Sequence, residues 1–151
     1  MRRKEKQLKI EEAVEIIKKG EYGILSMVTV DNGAYGVPLN YVYKDQCIYF
    51  HCAVEGYKLK NLQHNNDVSF CIVGSAEVLP DKLSTKYESV IISGEAAEVE
   101  GDEKYNALLE LIKKYSSSFM EKGIKYLKND INKTVVIRID IKNISGKRNR
   151  D

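Results

Sequence analysis

Apolar and polar positions recur along the chain with two different periods, and the changes of period mark its elements. Ile10, Ala13, Val14 and Ile17 follow the three-and-four spacing of one helical face, with Glu and Lys between them and Gly20 ending the run. This predicts a short amphipathic helix that covers a core rather than crossing it. From Tyr22 the pattern becomes extended: GILSMVTV is rich in β-branched residues, Asp31-Asn32-Gly33 signals a turn, and AYGVPLNYVY resumes the extended run. Lys44-Asp45-Gln46 then turns into CIYFHCA, so a three-strand meander is expected within about thirty residues.

A short helix is expected over Glu55 to His64, where Leu59 and Leu62 share a side and Asn65-Asn66 ends it. Val68, Phe70 and Ile72 alternate with Ser69, Cys71 and Val73 in the next strand. YESVIISGEAAEVE reads as another, with Gly94 at a bulge or a close backbone approach. Asp102 can cap a helix with the stripe Tyr105, Leu108, Leu109 and Ile112, and Ser118 with Glu121 has capping-box spacing for a second. In KTVVIRIDIK, Val135, Ile137, Ile139 and Ile141 alternate with Val136, Arg138, Asp140 and Lys142, the clearest strand in the chain. Short turns between about six strands, with a few covering helices, imply a mainly β fold: a six-stranded antiparallel barrel with flanking helices.

At 151 residues and 43% hydrophobic, the chain suits a single domain, 1–151, with one sizeable core. Only 2 prolines and 10 glycines, with no Gly/Ser/Pro-rich stretch, exclude a disordered or collagen-like chain. The net charge of +2 is uneven: residues 1–9 carry +4 and residues 147–151 carry +2, leaving a body of −4. A body of that sign lacks the broad basic surface that binding along many phosphates requires, so no nucleic-acid partner is expected. No apolar run approaches the roughly 20 residues needed to span a bilayer, and MRRKEKQLKIEEAVE lacks the apolar core of a signal peptide. A cytoplasmic protein without a membrane partner is expected. Cys47, Cys52 and Cys71, odd in number and without a CxxC pair, read as reduced thiols serving as small apolar residues.

The familiar chemical signatures GxGxxG, P-loop, HExxH, GxSxG and EF-hand are absent. Of the two histidines, His51 stands out in the apolar run YFHCA, and is either a functional histidine or a hydrogen-bonded one at a strand terminus. A metal shared with a nearby cysteine is disfavoured because adjacent strand residues point to opposite faces, so no metal is expected. FHCAVEGYKLKNL is more informative. A strand ends, turns at Glu55-Gly56, and enters a helix with Lys58 in its first turn, where unpaired N–H groups and a full positive charge suit an anion such as a phosphate. The alternative is a solvated lysine on a surface helix.

GVPLNYVY, IYFHCAVEGYKLKNLQHNNDVSF, YESVIISGEA and IDIKNISGKR, in that order and at compatible spacing, resemble the pyridoxamine 5′-phosphate oxidase-like FMN-binding split barrels. Within them the chain is most similar to the branch containing the 5-nitroimidazole resistance flavoproteins, and the resemblance runs from about Gly20 to Arg148. It implies a homodimer that binds FMN in the clefts between its subunits. By this resemblance Val37, Pro38, Leu39 and Asn40 form the strand whose backbone follows the isoalloxazine ring. His51, Cys52 and Ala53 form the strand end near the ribityl chain and phosphate, Lys58 is the phosphate ligand, and Ser89 sets a polar side chain against the flavin. His51 also matches a histidine near the flavin in the resistance branch, which makes it the catalytic candidate.

Two departures point away from vitamin B6 oxidation. Tyr57 stands where the oxidases of pyridoxamine phosphate carry an arginine, and ISGKRNRD lacks their C-terminal substrate-gripping arginine. The resemblance then implies an FMN-dependent oxidoreductase acting between NADH or NADPH and a small (nitro)aromatic or related acceptor. The alternative is a flavin- or haem-binding carrier or sensor without turnover, since a fold does not fix a function.

Overall fold

The structure, a computed structural model, describes residues 3–150; Arg2 and Asp151, counted above among the charged ends, lie outside the described residues. Among those residues seven antiparallel strands form one sheet: β1 (Gly23–Val28), β2 (Ala34–Leu39), β3 (Val42–Lys44), β4 (Cys47–Ala53), β5 (Asp67–Leu79), β6 (Ser84–Val99) and β7 (Thr134–Asn149). Their spatial order is β2-β1-β5-β6-β7-β4-β3. Four helices cover it: α1 (Ile10–Lys19), α2 (Tyr57–His64), α3 (Gly101–Tyr115) and α4 (Met120–Asp130).

The mainly β antiparallel architecture is as expected, but the sheet has seven strands rather than six. The additional strand comes from AYGVPLNYVY, which is extended throughout and breaks at Asn40–Tyr41. Its first half pairs with β1 and its second half with β4, so the expected three-strand meander is two hairpins on opposite edges of the sheet. An extended sequence specifies a strand but not its partner, which tertiary packing selects. The break also closes the fold. Since β2 and β3 are the two edges and only Asn40 and Tyr41 join them, the sheet must curl until its edges meet. The result is a barrel with no ladder across one seam.

Hairpin chemistry sets the turn between β3 and β4. Asp45 and Gln46, at φ 49° and 62°, supply the two left-handed positions of a two-residue turn that follows the strand twist. At Gly94 the β6–β7 register shifts, and a side chain there would collide with the Asp140 carbonyl, so the glycine marks both a bulge and a close approach.

The core lies in two layers. Inside the barrel, Leu25, Ile48, Phe50, Phe70, Ile72, Val90, Ile92 and Ile139 are fully buried, with α1 against β5, β6 and β7. α1 presents Ala13, Ile16 and Ile17; Ile10, expected on the buried face, is 55% exposed because the helix meets the sheet through those three residues. On the outer surface α3 and α4 bury Val42, Tyr49, Val99 and Val136 under Ala107, Leu108, Leu111 and Leu127. Val136, placed by alternation on the polar face of its strand, is therefore buried too, because helices cover that side.

Neither expected helix cap forms. Glu100 is the N-cap of α3 and Asp102 lies in the first turn, where its charge still favours the positive end of the helix. Ser117–Phe119 form a 3-10 turn that absorbs Ser118, leaving Phe119 at the N-cap of α4. At the chain's ends, the Leu8 N–H donates to the Gly146 carbonyl at 3.0 Å, and Gln7 bridges to Lys147.

Candidate functional site

The seam is where the candidate residues gather. β3 pairs with the first residues of β4 through Val42–Tyr49, Tyr43–Ile48 and Lys44–Cys47. Continued by count, that register would place Asn40 opposite His51, Leu39 opposite Cys52 and Pro38 opposite Ala53. The ladder stops at Val42–Tyr49 instead, and beyond it β2 turns away to pair with β1 while β4 continues along β7. Two strand edges thus face one another with no strand between them, and the peptide groups along such edges demand partners.

Alternation sorts the side chains around this split. Val37 and Leu39 pack against the barrel core, whereas Pro38 and Asn40 are exposed. On β4, Phe50 and Cys52 face the core, while Tyr49 and His51 face the helices. His51 and Cys52 therefore flank one backbone from opposite sides. At the far end, the Tyr35 ring on β2 meets the Tyr57 ring of α2 edge-on, with centroids 5.1 Å apart, so the first turn of α2 closes the split.

That turn is electropositive. Gly56, at φ 145°, brings the chain into α2 without a side-chain cap, and the first helical bond runs from the Lys60 N–H to the Gly56 carbonyl. The N–H groups of Tyr57, Lys58 and Leu59 precede that bond, at the positive end of the helix dipole. The Lys58 Nζ stands 5.8 Å from the centroid of the Phe50 ring. Its charge reaches both neighbouring groups. Burial, and then Lys58, hold the His51 imidazole below the usual histidine range, so it is largely neutral at neutral pH. Burial raises the Cys52 thiol despite Lys58, and the same effect raises Cys47 and Cys71, so none of the three is an activated thiolate.

α2 is held in place from behind. The Val30 N–H donates to Asn61 Oδ1 at 3.0 Å, and a His64 ring nitrogen lies 3.3 Å from Asn32 Oδ1, tying the helix to the β1–β2 turn. Asn61 is fully buried, and its Nδ2 has no hydrogen-bond partner among the described residues.

A cavity of about 310 Å³ opens on the helix side of the seam, walled by Leu108, Leu111, Leu127 and Ile131, with Asn40, His51 and Asp130 on its polar side. Tyr115, also in its lining, pins the strand break: the Tyr41 N–H donates to the Tyr115 oxygen at 3.1 Å, and the Tyr115 hydroxyl donates to the Glu21 carbonyl at 2.6 Å, with the Tyr41 carbonyl 2.9 Å away. Lys114 Nζ donates to the same Tyr41 carbonyl at 3.0 Å and lies 3.9 Å from the Tyr41 ring centroid. Burial lowers the Lys114 pKa to about 8.

The structure thus brings together Val37, Pro38, Leu39, Asn40, His51, Cys52, Ala53 and Lys58 around one split. It does not bring Ser89 to them. Ser89 sits on β6, opposite Val73 of β5 and Lys147 of β7, three strands from β2 and two from β4 in the sheet order. Sequence reasoning passed over Tyr115, Tyr126 and Asp130. The available signal was the stripe Tyr105, Leu108, Ile112, whose helical continuation reaches Tyr115.

An antiparallel barrel left open at one seam, with helices packed outside it, defines the split-barrel class. The chain belongs to the pyridoxamine 5′-phosphate oxidase family, whose sequence profile matches residues 9–148. Three solved structures are similar in fold. A proposed 5-nitroimidazole antibiotic resistance protein of Bacteroides thetaiotaomicron is 21% identical, with a TM-score of 0.75 over 93% of this chain and 85% of that one. An FAD-binding protein of Mesorhizobium loti is 22% identical, with a TM-score of 0.66 over 95% and 96%. An FAD and heme binding protein of Mycobacterium smegmatis is 15% identical, with a TM-score of 0.82 over 97% and 74%. No curated protein gives a significant match. Among the described residues no helix is long and apolar enough to cross a membrane.

Proposed function

We propose that this protein is a flavin-dependent oxidoreductase that holds FMN in the split between β2 and β4 and reduces a small nitroaromatic or related acceptor with NADH or NADPH. The observation that carries this reading is the failed ladder: two facing strand edges without partners, ending at an uncapped helix turn with Lys58. The residues fit the cofactor. A flavin ring is a flat plate with hydrogen-bonding edges, which suits the backbone of Val37, Pro38, Leu39 and Asn40 on one side and of His51, Cys52 and Ala53 on the other. A terminal phosphate suits the N–H groups of α2 together with Lys58. The family, and two relatives in fold that bind FAD, support a flavin.

A flavin bound there supplies two-electron transfer between the nicotinamide and the acceptor. For a nitro compound the balance is R–NO₂ + NAD(P)H + H⁺ → R–NO + NAD(P)⁺ + H₂O. The chain's part is positional and electrostatic. Lys58 neutralises phosphate charge, and the largely neutral His51 ring can donate a hydrogen bond to an acceptor oxygen. Ser89 lies on β6, which adjoins neither β2 nor β4, so its place in the reading is on a homodimer, where a second copy supplies it to the split. The reading also places the protein in the cytoplasm.

A second reading, a flavin or haem carrier without turnover, draws on the likeness to an FAD and heme binding protein and on the His51 ring lining a cavity. Stopped-flow mixing of the flavin-loaded protein with NADH or NADPH under nitrogen separates the two: bleaching of the flavin band marks an enzyme, and a persistent band a carrier.

The test of the site is absorbance between about 350 and 500 nm, where a flavin itself absorbs, during titration with FMN and with FAD. Lys58→Met is expected to weaken FMN by roughly 10- to 100-fold, the loss of one charge-assisted hydrogen bond of about 1.5–3 kcal/mol. A wild-type protein that binds neither flavin, or a folded Lys58→Met protein with unchanged FMN affinity, refutes this assignment.

A further inference from the structure

We propose that the cavity between α3, α4 and the His51 end of β4 binds a neutral aromatic molecule of one or two rings, and that Asp130 excludes anionic ones. The assignment of this molecule as the electron acceptor rests on the flavin reading above. The cavity, about 310 Å³, falls at the small end of ligand pockets, which suits one or two rings and not a nucleotide. Its walls are apolar: Leu108, Leu111 and Ile131 would meet the faces of a flat ring. Asn40, His51 and Asp130 stand on the polar side, where a nitro, carbonyl or hydroxyl substituent finds hydrogen-bond partners.

The charges give the selectivity. Among the described residues no lysine or arginine lines the cavity, and the Asp130 carboxylate is the one full charge in the lining. The nearby cations are engaged elsewhere: Lys58 stands by the Phe50 ring, and Lys114 is bonded to the Tyr41 carbonyl. Lys133 lies 4.0 Å from Asp130, but its side chain is 81% exposed and the pair is only weakly neutralising. An anionic ligand would lose its hydration against leucine and isoleucine, gain no cation, and face a like charge. A neutral ring incurs neither cost.

The experiment uses the absence of tryptophan from the chain. Tyr126 lines the cavity and is 71% exposed at its rim, so Tyr126→Trp installs a single fluorescent reporter without disturbing the core. In this background the flavin-titrated protein is mixed with 4-nitrobenzyl alcohol and with 4-nitrobenzoate, which share a ring and a shape and differ in charge. The alcohol is expected to quench saturably at a concentration at least about tenfold lower than the benzoate, as unscreened like charges a few ångströms apart require. Asp130→Asn is expected to narrow that ratio to about threefold or less. Leu111→Phe, or Leu108→Phe if the first does not fold, should fill the space and weaken the alcohol about tenfold or more.

Equal affinity for the two ligands, a ratio indifferent to Asp130→Asn, or full binding in a folded filled variant would overturn the proposal. The flavin band of the same samples keeps the readings apart. Charge-selective quenching without a flavin sinks the acceptor role and leaves the cavity assignment standing. A bound flavin without quenching sinks the cavity assignment and leaves the flavin reading standing.

Discussion

Tyr115→Phe tests whether the seam is held where the structure holds it. The hydroxyl ties α3 to the strand break through the Tyr41 N–H and the Tyr41 carbonyl, and to the Glu21 carbonyl just before β1. Removing it leaves the ring, so no cavity forms. The Glu21 carbonyl belongs to an exposed residue and can turn to water, and the Tyr41 carbonyl keeps Lys114 at 3.0 Å. The Tyr41 N–H has no such replacement, since that residue is wholly buried. One orphaned buried donor costs about 1–3 kcal/mol, which in a domain of this size lowers the melting temperature by roughly 2–12 °C. Urea unfolding followed by circular dichroism measures it, with Tyr126→Phe as the control, since that residue is 71% exposed and should shift stability by less than about 0.5 kcal/mol. Flavin affinity should fall in Tyr115→Phe as β2 and β3 lose their fixed angle. Superimposable urea curves for Tyr115→Phe and wild type would refute the reasoning, because no other contact on Tyr41 could then replace the lost acceptor.

Two further outcomes follow from packing and charge. Lys114 titrates near 8 in the folded protein against 10.5 when free, so below pH 8 both states are protonated and burial of the charge opposes folding in full; stability should rise between pH 8 and 9 as the folded state loses the proton first. The raised thiols and tyrosines act in the opposite direction only above about pH 9 and 10, so the difference between wild type and Lys114→Met across pH 8 to 9 isolates the lysine, and a flat difference would contradict it. Gly94→Ala should destabilise by about 2 kcal/mol or more, because the added methyl meets the backbone of Asp140 rather than a movable side chain; a midpoint unchanged in urea would mean the bulge relaxes freely.

What the chain discloses about itself divides along the line between local and distant interactions. The strands of KTVVIRIDIK and CIYFHCA, the turn at Asp45-Gln46, the bulge at Gly94 and the helix entered at Gly56 are local matters of alternation and backbone freedom, and each stands where the residues indicate. The break at Asn40–Tyr41 has no local mark, because both halves prefer extended backbone and only their partners differ. The unused caps at Asp102 and Ser118 show the converse, a spacing that fits a motif without the geometry to form it. For the site, the corner from His51 to Lys58 was legible because its parts are near in sequence. The cavity was not, since Asn40, Leu111 and Asp130 meet only when two helices fold over the seam.

The two residues that separate β2 from β3 also make the topology unusually easy to cut and rejoin. Leu8 and Gly146 already lie side by side, so a short linker across the ends, with new termini between Asn40 and Tyr41, would preserve every strand pairing while removing the one covalent bond that forces the rims together. Such a permuted chain would be the same sheet freed from its hoop, and its breadth in solution would show how much of the curvature resides in the strands and how much in that single peptide link.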